Sequence, residues 1–156
     1  MSTIERSLYR IINVVVRLLL RSPLHPLLSG SVVLLTLRGR RTGWRYTVPV
    51  SYIHEGDHLI CFTGGVWSAW WRNLLAGAPV SVRLRGRELP GEARAITDGV
   101  VIVPPLTTFL RRFPRTARRF GITVGPDNQP DVDMVARAAR RGRAVMIEVR
   151  LGRPAA

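Results

Sequence analysis

The sequence predicts an α+β fold that is mainly β: a small six-stranded antiparallel β-barrel with an N-terminal amphipathic helix and C-terminal helices. Six short segments show either period-two alternation or β-branched apolar runs, the two patterns that strands produce. Short turn signals join the first strands to one another, and connections that short force antiparallel pairing. A chain of 156 residues that is 46% hydrophobic is long enough for one domain with a real core.

Residues 1–30 form an N-terminal unit, and residues 31–156 form the barrel with its helical insertions. From Ile4 to Arg21, helical spacing puts Arg6, Arg10, Arg17 and Arg21 on one face. Leu8, Ile11, Ile12, Val15, Leu18 and Leu19 cover most of the remainder. This is a basic amphipathic helix, suited either to packing on the domain's own core or to lying on an anionic membrane. "IINVVVRLLL" is too short to span a bilayer, contains Asn13 and Arg17, and lacks a cleavage site. Ser22-Pro23 ends the helix, and Pro26 keeps the connector extended.

Strand character begins at Ser31. "SVVLLTLR", "RYTVPVSYI" and "HLICFT" make a meander, with "HEGD" as the second turn. Pro49 marks its strand as an edge or a bulge at that point. A helix is then expected, with Trp67, Trp70, Trp71 and Leu74 at helical spacing, Gly64 and Gly65 before it, and Gly77 and Pro79 as its stop. "PVSVRLRG" alternates as a half-exposed strand, and "RELPGEARAI" returns beside it. Two helices follow, Pro105 to Phe120 with a kink near Pro114, and Asp131 to Arg141 with Asp131 as N-cap. "AVMIEVRL" closes the sheet, with Val145, Ile147, Val149 and Leu151 on one face.

Twenty-four basic residues, all arginine, stand against ten acidic ones, a formal charge of +14 that favours anionic partners. Cys61 is alone, so no internal disulfide forms. His25, His54 and His58 lack a ligand pattern, so no metal site is expected; His54 and His58 read as exposed polar residues beside a turn. These features together suggest a reducing, cytoplasmic setting.

"TLRGRRTGWRYTVPV" gathers Arg38, Arg40, Arg41 and Arg45 around two glycines. Such a turn exposes backbone N–H groups and supplies planar guanidinium forks for phosphate or carboxylate. A solvated basic turn would look much the same. The Gly64-Gly65 pair before a helix start offers further N–H donors and a positive dipole end. Trp70 and Asn73 share one face of that helix, where the asparagine amide is placed to meet a ligand's polar edge.

Taken together, "LLTLRGRRTGWRYTVPVSY", the glycine pair and "WWRNLLAGAPVSVRLRGRELPGEA" resemble the deazaflavin-dependent nitroreductase family, split β-barrels related to the FMN-binding flavin reductases. The resemblance implies binding of coenzyme F-420, with its phosphate and polyglutamate tail, and hydride transfer to a hydrophobic acceptor such as a quinone or nitro compound. It implies that Arg40, Arg41, Thr42, Gly43 and Arg45 hold the acidic parts of the cofactor. It likewise places Gly64, Gly65, Trp70, Asn73 and Leu74 along the phosphate and ribityl chain. An arginine frequent in the family is Tyr46 here, and Arg45, one place earlier, points to the opposite face of the strand. The chain has no tyrosine after Tyr52 and offers Phe109, Phe113 and Phe120 where well-studied members present tyrosines to the substrate. The candidates for proton donor are therefore Tyr46, Tyr52, Ser51 and Thr63.

An FMN-binding reductase on the same barrel and a non-catalytic cofactor-binding or membrane-surface protein are the alternatives. The nine arginines between Arg111 and Arg143 suit either solvent or anionic lipid at the inner face of the cell membrane. No base-reading motif accompanies them, so nucleic acid is not expected. Split barrels often pair, which makes a homodimer an expectation too.

Overall fold

The computed structural model describes residues 31–66 and 68–153; the expected N-terminal helix, its connector and Trp67 lie outside them. Six strands form a closed antiparallel barrel: β1 Val32–Arg38, β2 Arg45–Glu55, β3 His58–Gly64, β4 Ala78–Leu84, β5 Arg87–Ile96 and β6 Ala144–Leu151. Their order around the barrel is β1-β2-β3-β6-β5-β4, and β4 pairs back onto β1. Closure removes the open edges that a six-stranded sheet would otherwise expose. Pro49 lies where β2 pairs with β1 alone, since β2 meets β3 only from Tyr52 to Glu55. The expected edge position is borne out: a missing N–H costs nothing on an unpaired side.

Alternation sorts the side chains into two cores. Val33, Leu35 and Leu37 of β1, Val82 of β4 and Val145, Ile147 and Val149 of β6 point into the barrel, as does the alanine pair Ala93 and Ala95 of β5. Residues of the opposite parity on β3 and β6, Ile60, Phe62, Ala144 and Met146, face outward under a helical layer. Both strands are therefore apolar on both faces, which explains the unbroken runs "LICF" and "AVMI". Cys61 is fully buried in the barrel, and that burial pushes its thiol pKa well above the usual range.

The outer layer consists of α1 Gly99–Arg112, a 3-10 segment Pro114–Phe120 and α2 Val132–Arg140. The expected start at Pro105 is corrected: Asp98 caps α1, its carboxylate accepting from the Val100 N–H at 2.9 Å, and Pro104 and Pro105 lie inside the helix. The prolines remove the donors that would bind the carbonyls of Val100 and Val101. Those two residues are exposed, so water can satisfy what the helix leaves open. The break at Pro114 is as expected, and so is the Asp131 cap, which accepts from the Met134 N–H at 3.0 Å. Ile102, Leu106, Phe109 and Leu110 of α1 fill the outer core with Val135, Ala138 and Ala139 of α2. The Phe109 ring stacks at a tilt between Phe62 and Phe113, with centroids 5.1 and 4.9 Å away.

After Gly65 the expected helix is only a five-residue 3-10 turn, Trp70–Leu74. Gly65 is instead a packing position. Its N–H donates to the Arg143 carbonyl at 3.1 Å, and a Cβ there would sit 2.0 Å from the Gly142 carbonyl oxygen. Backbone cannot yield as a side-chain tip can, so Gly65→Ala is expected to destabilise the fold by about 2–3 kcal/mol through overpacking. Chemical denaturation of the variant checks this; an unchanged midpoint would mean that the backbones at Gly65 and Gly142 do not approach so closely.

Candidate cofactor site

The β1–β2 turn is a tight, internally bonded loop. Gly39 N–H donates to the Trp44 carbonyl at 2.9 Å, and Gly43 N–H donates to the Gly39 carbonyl at 2.8 Å. Trp44 N–H donates to Thr42 Oγ1 at 3.3 Å, and Arg40 N–H reaches across to Asn73 Oδ1 at 2.9 Å. Gly43 has φ +71°, a conformation that side chains disfavour. These four amides bond within the protein, so the expected cradle is narrower than the sequence implies: the amides of Arg41 and Thr42 remain open.

Arg38, Arg40, Arg41 and Arg45 are all exposed, and Arg72 joins them from the 3-10 turn. None of the five has a carboxylate within ion-pair distance among the described residues; the carboxylate contacts there belong to the His58 imidazole, with Asp57 at 2.7 Å and Glu148 at 3.5 Å. His58 is thus half-buried and paired rather than merely exposed, while His54 is exposed as expected. Five like charges held together without counter-charge make a strong local potential for a polyanion.

Asn73 joins the parts. Its Nδ2 donates to the Trp70 carbonyl at 2.9 Å and, in a short contact, to the Tyr46 hydroxyl, while Oδ1 accepts from Arg40. Both amide donors are committed, and one Oδ1 lone pair remains. Tyr46 accepts from Asn73, which leaves its O–H hydrogen to donate elsewhere. Burial raises the Tyr46 pKa above its ordinary value, and the Asn73 hydrogen bond offsets part of that rise. Trp70 and Trp71 pack against the barrel core, the Trp71 indole donating to the Ser68 carbonyl at 2.9 Å.

Arg40, Arg41, Thr42, Gly43, Arg45, Trp70 and Asn73 therefore cluster at one end of the barrel, with Tyr46 among them. Six expected residues do not join them. Leu74 is 0% exposed inside the barrel end, so its side chain has no surface to offer a cofactor. Gly64 is buried in β3 opposite Ala144, and Gly65 has spent its amide on Arg143, so the pair is no anion cradle; the 3-10 turn begins only at Trp70. Thr63 is buried and lies 2.9 Å from Ser68 Oγ, which gives its single hydrogen to the Gly64 carbonyl. Thr63 must then be the donor of that pair, and its proton is spoken for. Tyr52, 4% exposed, faces the barrel interior, and Ser51 lies on the outer face of β2. Of the four expected donors, Tyr46 alone is both half-exposed and part of the cluster at this end of the barrel. Phe109 and Phe120 are buried in the outer core and Phe113 packs beside Phe109, so these rings do not stand in for substrate-facing tyrosines. Sequence reasoning missed Arg72, whose guanidinium lies 5.4 Å over the Trp71 ring, and Trp44, which is 79% exposed in the turn itself.

The sequence profile of the F420H2-dependent quinone reductases matches residues 10–101, more than half of the chain. The chain belongs to the F420H2-dependent quinone reductase family. Membership makes it an oxidoreductase that uses coenzyme F-420, so the deazaflavin reading holds over FMN and over a non-catalytic role. No curated protein is detectably similar in sequence. Among solved structures, an F420-H2 dependent reductase (FDR-A) is similar at 21% identity and a TM-score of 0.52, over 76% of this chain and 93% of that one. A structure described as a domain-swapped dimer is similar at 18% identity and the same TM-score, over 76% of this chain and 79% of that one. Both carry the split-barrel fold seen here. Among the described residues of this F420H2-dependent family member, no helix is long and apolar enough to cross a membrane, and no group of ligands could hold a metal ion.

Asn73→Ala removes three hydrogen bonds at a half-exposed position, an expected loss of about 1–3 kcal/mol. It also removes the contact that lowers the Tyr46 pKa, so tyrosinate absorbance, referenced to Tyr46→Phe, should shift to still higher pH. A raised folded-state pKa contributes stability below the ordinary tyrosine value of about 10, which is lost as pH rises through the folded value. The variant should therefore keep this contribution to higher pH. An unmoved titration would break the link between the two side chains.

Proposed function

We propose that the arginine turn binds the phosphate and acidic tail of reduced coenzyme F-420, and that Tyr46 serves the proton side of quinone reduction beside it. The observation that supports this most directly is the Asn73 bridge. One side chain ties the Arg40 backbone, the Trp70 turn and the Tyr46 hydroxyl into a single unit. The cofactor supplies hydride when bound, and the protein's tasks are to hold it, orient it and manage a proton.

Arg40 and Arg41 act at the anionic end through charge-assisted, forked hydrogen bonds. Trp70, its backbone carbonyl bonded to Asn73, offers a flat apolar wall in a fixed orientation. Tyr46 is neutral at physiological pH, as tyrosines ordinarily are and as burial reinforces, so it carries a proton available for donation. Its oxygen accepts from Asn73, which leaves the O–H hydrogen to donate and stabilises the phenolate left behind.

The exposed arginines from Arg111 to Arg143 support contact with anionic lipid, where a hydrophobic quinone resides. Co-sedimentation with anionic but not neutral vesicles is the expected result; equal recovery with both would remove this part. For the site itself, two charge-assisted contacts are worth roughly 1.5–3 kcal/mol each. Arg40→Ala with Arg41→Ala should therefore raise the Kd for coenzyme F-420 at least a hundredfold and weaken its salt dependence. In the same assay, Tyr46→Phe should leave that Kd near wild type and lower kcat with a quinone by about 10²-fold or more, the span of general acid catalysis. Unchanged affinity in the first variant, or unchanged kcat in the second, would return those residues to a structural role.

A further inference from the structure

A second charged concavity lies in the helical layer. Between the end of the 3-10 segment Pro114–Phe120 and α2 there is a cavity of about 130 Å³, open to solvent on one side. Its floor is apolar: Phe120 and Ala138 are buried and Met134 is half-buried. Its rim is cationic: Arg137, Arg141 and Arg143 are all exposed. None of these residues belongs to the β1–β2 turn or to the Trp70–Leu74 segment.

The three guanidiniums are not consumed by the protein. Arg137 donates from Nε to the Asp133 backbone carbonyl at 3.4 Å, a weak contact that leaves both terminal nitrogens for another partner. No carboxylate lies within ion-pair distance of any of the three among the described residues. Arg137 lies in the last turn of α2 and Arg141 is its C-cap, four residues on, and both line the cavity. Arg143 enters from the following loop across Gly121, where a Cβ would lie 2.4 Å from Nη1; Gly121, at φ +72°, thus leaves the guanidinium its place at the cavity wall.

An apolar floor beneath three unneutralised, fork-shaped donors selects for shape and charge together. Three guanidiniums suit a compact dianion whose oxygens accept several hydrogen bonds at once. An apolar cavity of about 150 Å³ holds one benzene ring, so this floor takes a ring or a short alkyl group and little more. We propose that this cavity is a second ligand site, separate from the cofactor site, for a small phosphate monoester with one apolar substituent.

The test uses the full chain with methionine methyl groups labelled with carbon-13, and phenyl phosphate as the probe. The chain has three methionines, and Met134→Leu assigns the one at the cavity. The Met134 signal should shift saturably while that of Met146, buried in the outer core, stays still. Inorganic phosphate and phenol, each carrying half of the recognition, should bind at least tenfold more weakly. Arg141→Ala with Arg143→Ala should raise the Kd for phenyl phosphate at least tenfold without changing the melting temperature or the affinity for coenzyme F-420. Non-saturating shifts, binding that survives the double variant, or a response seen only with phosphatidic acid vesicles would overturn the proposal. Displacement of the probe by coenzyme F-420 would also overturn it, by merging this cavity with the cofactor site.

Discussion

The burial of Leu74 in the end of the barrel is the contact on which the site depends. A five-residue 3-10 turn has too few hydrogen bonds to hold its own geometry, so it needs an anchor from packing. Leu74 provides it, with the half-buried Trp70 and Trp71 packed against the same core. Asn73, the residue before the anchor, is then held where its amide meets both the β1–β2 turn and the Tyr46 hydroxyl. An apolar contact inside the barrel thus sets the position of the polar groups outside it.

Strand positions were legible because alternation and turn chemistry act over a few residues, and the six strands follow them closely. The helical layer was less so. "GVVIVPPL" carries two prolines, and sequence rules place prolines at a helix start; only the solvent exposure of Val100 and Val101 shows how the helix accommodates them further in. The glycine pair misled for a related reason. Gly64 and Gly65 look like an anion-binding helix entry, but Gly65 is held against the Gly142 backbone and gives its N–H to the Arg143 carbonyl. That neighbour is distant in sequence, and no local rule contains it. At the site, Arg40, Arg41 and Trp70 could be named from motif resemblance. The bridge through Asn73 could not, because it joins residues 33 and 27 positions apart.

The charge distribution follows from the same architecture. The barrel interior accepts no charge, so the described arginines stay on the turns, the helical faces and the outward positions of the strands, and ten acidic residues cannot neutralise the chain's twenty-four basic ones. Like charges brought together by folding lower stability through repulsion, and two apolar cores offset that cost. Bound anions would relieve the repulsion, so screening by salt and occupancy by ligand act on one electrostatic reserve.

Cys61 has a bearing on durability. Quinones are electrophiles that add to thiolates, and a protein that handles them exposes its own nucleophiles to the same attack. The chain's only cysteine sits inside the barrel with no solvent-accessible surface and its thiol held protonated by burial. Arylation by its own class of substrate is closed to it, so repeated turnover need not inactivate the protein by that route.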